Sequence, residues 1–116
     1  MNELKVEESK LLEEIKSGTR EEKESNLLLF INKCIEEVEE SKYDSSICSM
    51  YVSQKIFNEI KRLFKSWTDL FTFYKEKEID KTGISANFWG IDVIVKTDIE
   101  EIVFSTEKYS KEMQSV

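Results

Sequence analysis

The chain has 116 residues, 40% of them hydrophobic and 35% charged, with a net charge of −7 and neither histidine nor proline. That length sets one domain, residues 1–116, able to bury a core of its own, and the apolar content excludes disorder along the whole chain. The acidic balance argues against direct binding of nucleic acid or of an anionic membrane, because both draw cationic surfaces. The charge is uneven: net −6 over residues 1–44, +2 over 45–78 and −3 over 79–116. An acidic segment of this kind suits solubility first and a basic protein partner second.

The first segment, about 2–17, places Leu4, Leu11, Leu12 and Ile15 near helical spacing among Glu and Lys, which predicts an amphipathic helix. Gly18 supplies a left-handed stop, and Thr19 followed by Glu22 is a capping-box pattern that starts a second helix. Residues 1–42 therefore read as a helical hairpin. From Arg20 to about Lys42 the seam is Leu27, Ile31, Cys34 and Val38, widened by Leu28 and Ile35. Asp44 or Ser45 then offers a cap for a third helix. Ile56, Ile60, Leu63, Trp67 and Phe71, with Phe57, Phe64 and Leu70 beside them, predict a long aromatic core helix within 44–75, with a possible break near "KSWTD".

"KEKEIDKTG" reads as a polar connector with Gly83 at a turn. Trp89, Ile91, Val93 and Val95 then alternate with Gly90, Asp92, Ile94 and Lys96, the period of a strand. "KTDIEE" turns the chain, and Ile102 to Phe104 is expected to pair back, giving an antiparallel β-hairpin over 84–107. Residues 108–116 read as a frayed tail. The predicted fold class is α+β: an N-terminal helical hairpin, a long aromatic-rich third helix and a C-terminal antiparallel β-hairpin.

Catalytic signals are sparse. Without histidine the chain lacks the commonest general base and metal ligand. Cys34 and Cys48 are too few and too far apart for a zinc site, and their apolar contexts read as reduced, buried thiols. Gly18, Gly83 and Gly90 are too scattered for a phosphate loop. Asp92, Asp98, Glu100 and Glu101 gather acids near one loop, but their spacing is not that of a calcium-binding loop, so they read as a solvated turn. Lys55, Lys61, Arg62 and Lys65 sit near Phe64, Trp67 and Phe71, yet those aromatics fall on the core stripe, so packing is the plainer reading. No catalytic residue, metal ligand, cofactor or small-molecule substrate is expected, and the chain is not expected to be an enzyme.

Protein binding remains. "LLLFI", Leu27 to Ile31, is apolar all round, and one stripe cannot bury every member. Leu28, Leu29 and Phe30 are thus candidates for contact with a partner or a second copy. Glu36, Glu37, Glu39 and Glu40 crowd the end of the same helix, against its dipole, and are candidates for a basic partner. The N-terminus has no apolar leader-like run, and no apolar stretch approaches the roughly 20 residues that span a bilayer. The expected location is the cytoplasm, in a bacterial host.

The pattern G-I-x-V-x-V from Gly90 to Val95, followed by an acidic turn and "IVF" at Ile102 to Phe104, resembles small bacteriophage-encoded structural and accessory proteins, mainly through Gly90, Ile91, Val93 and Val103. The resemblance implies a phage or mobile-element protein that works in assembly or interaction, and it transfers no catalytic residue. The alternative is an acidic inhibitor whose glutamates stand in for phosphates and block a basic host-defence protein.

Overall fold

The computed structural model describes residues 3–41, 46–64 and 70–111. Among them the elements run β1 (Glu3–Glu7), α1 (Glu8–Glu14), α2 (Arg20–Ser41), β2 (Ser49–Val52), α3 (Gln54–Leu63), β3 (Phe71–Phe73), α4 (Glu76–Thr82), β4 (Ala86–Phe88), β5 (Ile91–Val95) and β6 (Glu101–Ser105). The α+β class stands, but its β part is a six-stranded sheet in the order β1-β6-β2-β5-β4-β3. Neighbours are antiparallel except β2 and β5, which run parallel. A parallel pair needs a long crossover, and here α3, β3, α4 and β4 lie between the two strands in sequence.

Alternation along the strands gives the sheet two unlike faces. One carries Leu4, Val6, Met50, Val52, Val93, Phe88, Ile102 and Phe104, which join the core with Leu11, Leu27, Ile31, Ile56 and Ile60 from the helices. α2 lies across β1 and β6, and α3 lies on β2. At the far end of this face Phe71 stacks on Phe88 with ring centroids 4.7 Å apart, and Phe64 caps the pair at 4.9 Å from Phe71. The other face carries Glu3, Lys5, Tyr51, Val103, Asn87, Asp92 and Ile94.

Where the buried stripe is a property of one helix, expectation and structure agree. Leu27, Ile31, Cys34 and Val38 are buried along α2, and Leu28 and Ile35 pack against the core from its flank. Thr19 and Glu22 form the capping box: Glu22 N–H donates to Thr19 Oγ1 at 3.2 Å, and Glu22 Oε1 accepts from Thr19 N–H at 3.5 Å. Arg20 then reaches across to the last turn of α3, where its guanidinium donates to the carbonyl of Leu63 at 3.0 Å, satisfying an acceptor the helix leaves open.

Elsewhere the structure corrects the expectation. Residues 3–7 are a strand, not the start of a helix, so the N-terminal unit is a strand followed by two helices. Leu4 fits a helical stripe with Leu11, but Leu4 and Val6 together fit an edge strand whose Glu3, Lys5 and Glu7 face water. The expected long third helix divides. Residues 49–52 become β2, α3 runs Gln54–Leu63 with Ser53 as its N-cap, and Phe71 belongs to β3. Ser53 sets the start: its hydroxyl accepts from Ile56 N–H at 3.2 Å and donates to Glu8 Oε2 at 2.6 Å, a side-chain cap that fixes the first turn. The proposed caps at Asp44 and Ser45, together with Lys65, Trp67 and the "KSWTD" break, lie outside the described residues.

The expected hairpin is replaced by another. β5 and β6 are not neighbours, because β2 lies between them. The hairpin that does form joins β4 to β5 through Trp89 and Gly90 alone, with Phe88 opposite Ile91. "KEKEIDKTG" contains α4, closed by Gly83 in the left-handed region (φ 76°) with its N–H on Ile79 O at 2.7 Å. Residues 108–111 of the expected frayed tail are ordered, the chain from Thr106 to Lys111 crossing the second face of the sheet, and residues 112–116 lie outside the described residues. Ser49 Oγ donates to Glu107 O at 2.9 Å and accepts from Tyr109 N–H at 3.1 Å, and Tyr109 meets Tyr51 edge to face.

Candidate functional site

The turn at Trp89 and Gly90 is the most unusual local geometry in the chain. Both residues have positive φ, 47° and 84°, as a two-residue turn matched to the sheet's twist requires. Glycine takes that conformation freely. A tryptophan there costs about 1–2 kcal/mol, because its Cβ crowds the following carbonyl. Asn87 holds the turn shut: its Oδ1 accepts from Gly90 N–H at 2.9 Å, and its Nδ2 donates to Asp92 Oδ1 at 3.1 Å. The indole stacks on Phe88, with centroids 5.2 Å apart and planes 17° from parallel, yet Trp89 stays 65% exposed. One ring face therefore closes the aromatic column over Phe88 and Phe71, and the rest of the indole meets solvent.

The sequence reading missed this site. It placed Trp89 on the strand, in step with Ile91 and Val93, and the structure puts it at the tip. The signal present was "NFWGID": an asparagine three residues before a glycine, between two apolar runs, is a turn pattern that the unbroken alternation masked.

The residues expected to meet a partner all lie on α2, and they do not behave alike. Leu29 is 65% exposed, whereas Leu28 and Phe30 are half-buried and pack against the core. Phe30 lines a shallow groove with Leu4, Val6, Lys33, Cys34 and Glu37, between α2 and the edge strand β1. Glu36, Glu37, Glu39 and Glu40 are all exposed. Among the described residues the ion pairs are Arg20 with Glu24 and Arg62 with Glu59, so none of these four carboxylates is neutralised by one.

The acids near the last loop are separated by the fold. Asp92, near the start of β5, lies opposite Asn87, while Asp98, Glu100 and Glu101 lie past the strand's other end, roughly 10–13 Å away. No group of three or more acids, cysteines or histidines suited to a metal ion occurs among the described residues. Of the basic group, Arg62 pairs with Glu59 and Lys61 lies over the Phe57 ring at 5.6 Å. Both contacts lie within α3. Cys34 is buried and Cys48 half-buried, and both are free thiols. Burial, with the Glu37 carboxylate adding to it, pushes the Cys34 thiol up from 9.0 to about 11, so it is protonated and unreactive at neutral pH.

No protein-family model, curated protein or solved structure matches the chain. No helix among the described residues is long and apolar enough to cross a membrane.

Proposed function

We propose that the protein acts by binding another protein, as an assembly or accessory component of a bacteriophage or mobile element, without catalysis of its own. The carrying observation is Trp89, an exposed indole on a backbone conformation that disfavours it, locked in place by Asn87. A glycine or asparagine would make the same turn at lower cost, so the side chain is retained for what it touches. Tryptophan is enriched among the residues that dominate protein interfaces, and a rigid hairpin tip presents it already ordered. The phage assignment rests on the resemblance of the Gly90–Val95 stretch and the acidic loop beyond it.

The test is capture from a lysate of the native host with wild-type protein and with Trp89→Asn, which keeps a residue suited to positive φ. The expected outcome is a specific partner bound by the wild type and lost at least tenfold with the variant, both having the same melting temperature within a few degrees. Equal capture by the two overturns the role of the hairpin tip.

A second reading is favoured by the four exposed glutamates at the end of α2, which have no ion-pair partner among the described residues: inhibition of a basic host protein by mimicry of nucleic-acid charge. Binding would then weaken steeply with salt and fail on charge reversal at Glu36, Glu37, Glu39 and Glu40. Affinity indifferent to salt removes this reading.

A further inference from the structure

The edge of the sheet formed by β1 offers its backbone outward. Glu8 N–H bonds to Glu100 O at 3.0 Å, one step along the register that pairs Glu7 with Glu101. Bonded pairs alternate in an antiparallel ladder, so Val6 and Leu4 also turn their backbone groups toward β6. Glu3, Lys5 and Glu7 then turn theirs away from the sheet, a row without partners among the described residues and of the kind that accepts another strand. The side chains of these three residues are exposed on the second face, and Leu4 and Val6 are half-buried on the core face. Beside the edge runs the groove with Phe30, Lys33, Cys34 and Glu37 along one side of α2, and Leu29 is exposed on the same helix.

We propose that a second copy of this chain occupies this edge, with β1 pairing antiparallel to β1 about a two-fold axis at Leu4. The charge order selects both the occupant and the register. Only shifts that set odd-numbered residues opposite odd-numbered ones bring outward-facing backbone groups together. The unshifted pairing sets Glu3 against Glu7 and Lys5 against itself, placing like charges opposite, which destabilises a sheet. Moving by two residues toward the N-terminus sets Glu3 of each copy opposite Lys5 of the other, so both cross-strand pairs attract, and Leu4 meets Leu4 on the core face. The opposite move pairs Lys5 with Glu7 but sets Leu4 against Glu8, where the strand has ended and α1 begins. A two-fold operator brings the same patch from both copies together, so the α2 flank meets itself as well. That flank carries Phe30 with one charge of each sign, Lys33 and Glu37. The result is one continuous sheet through the dimer. This inference stands apart from the hairpin tip, which lies on a different loop of the fold.

The test is molar mass by sedimentation equilibrium of the full chain from low to high micromolar concentration. Wild type is expected to pass from monomer to dimer. Lys5→Glu sets Glu opposite Glu and is expected to raise the dissociation constant at least tenfold, and the swap Glu3→Lys with Lys5→Glu restores it. Lys5→Pro removes an outward N–H that β6 does not use, and is expected to give a folded monomer with wild-type circular dichroism. Trp89→Asn leaves the dimer intact. A wild type monomeric at every concentration overturns the proposal. So does a dimer that survives both Lys5→Glu and Lys5→Pro, or one that is broken by Trp89→Asn but not by Lys5→Pro.

Discussion

Gly83 and Gly90 both hold positive φ, but their surroundings differ, and that difference is measurable. A Cβ at Gly90 meets nothing within 4 Å, whereas one at Gly83 would lie 2.6 Å from the Tyr109 hydroxyl. Gly90→Ala is therefore expected to cost only the backbone strain, about 1–2 kcal/mol. Gly83→Ala adds displacement of Tyr109 and should cost more, with a larger drop in the denaturant midpoint. Cys34 gives a second prediction. Below pH 9 the thiol is protonated in both folded and unfolded chains, and stability does not depend on it. Between 9 and about 11 only the folded chain keeps the proton, so rising pH favours unfolding across that window. Tyr51, raised above 10 by burial first and then by Tyr109 and Glu3, acts with the same sign. Cys34→Val should lose less stability than wild type from pH 9 upward in urea melts recorded against pH. That Cys34 is a buried thiol was legible from its place in the Leu27–Val38 seam. Trp89 was not legible, because a turn residue followed at once by a strand can look like the strand's first member.

At the scale of elements, legibility follows the distance over which burial is decided. α2 declares its own inner face within 22 residues, and the Thr19–Glu22 box marks its start from four adjacent positions. β1 and β2 owe their conformation to partners far along the chain: Leu4 lies opposite Phe104, and Met50 lies between Phe104 and Val93. No local period reveals that. Ser53 is the exception that local chemistry marks, since its hydroxyl ends β2's run and starts α3. Ser53→Ala removes the cap and strands the Glu8 carboxylate, and is expected to cost about 1–2 kcal/mol. Chemical denaturation checks this. Ser53→Asp should recover little of the loss, because a second carboxylate would face Glu8.

At the scale of the molecule, α1, α2 and α3 cover one face of the sheet, and the last described residues, which meet α4 at Asp80 and Gly83, cross part of the other. Ile94, 2% exposed, shares a groove with Tyr109 and Ile79, and Ser49 is buried under the chain at Glu107 and Tyr109. Truncation after Thr106 uncovers both, breaks both hydrogen bonds on Ser49 Oγ together with those from Glu107 N–H to Ser105 Oγ and from Lys111 to Asp80 O, and removes the Tyr51–Tyr109 contact. The expected loss is about 2–3 kcal/mol, with the sheet retained, and a thermal melt of the truncated chain measures it. The acidic surface of α2 is untouched by that change, so any partner bound through Glu36 to Glu40 should still bind.

The pairing of β1 with β6 joins Glu3 to Ser105, the first described strand to the last. During synthesis β1 leaves the ribosome before β6, which is made about a hundred residues later, a wait of roughly 5–20 s at ordinary translation rates. In that interval Leu4 and Val6 are open to any exposed strand. A β1 segment that carries charge at every second position is slow to join a foreign edge without the complementary charge order, so the glutamates and lysine of "ELKVE" also guard the nascent chain until its own last strand arrives.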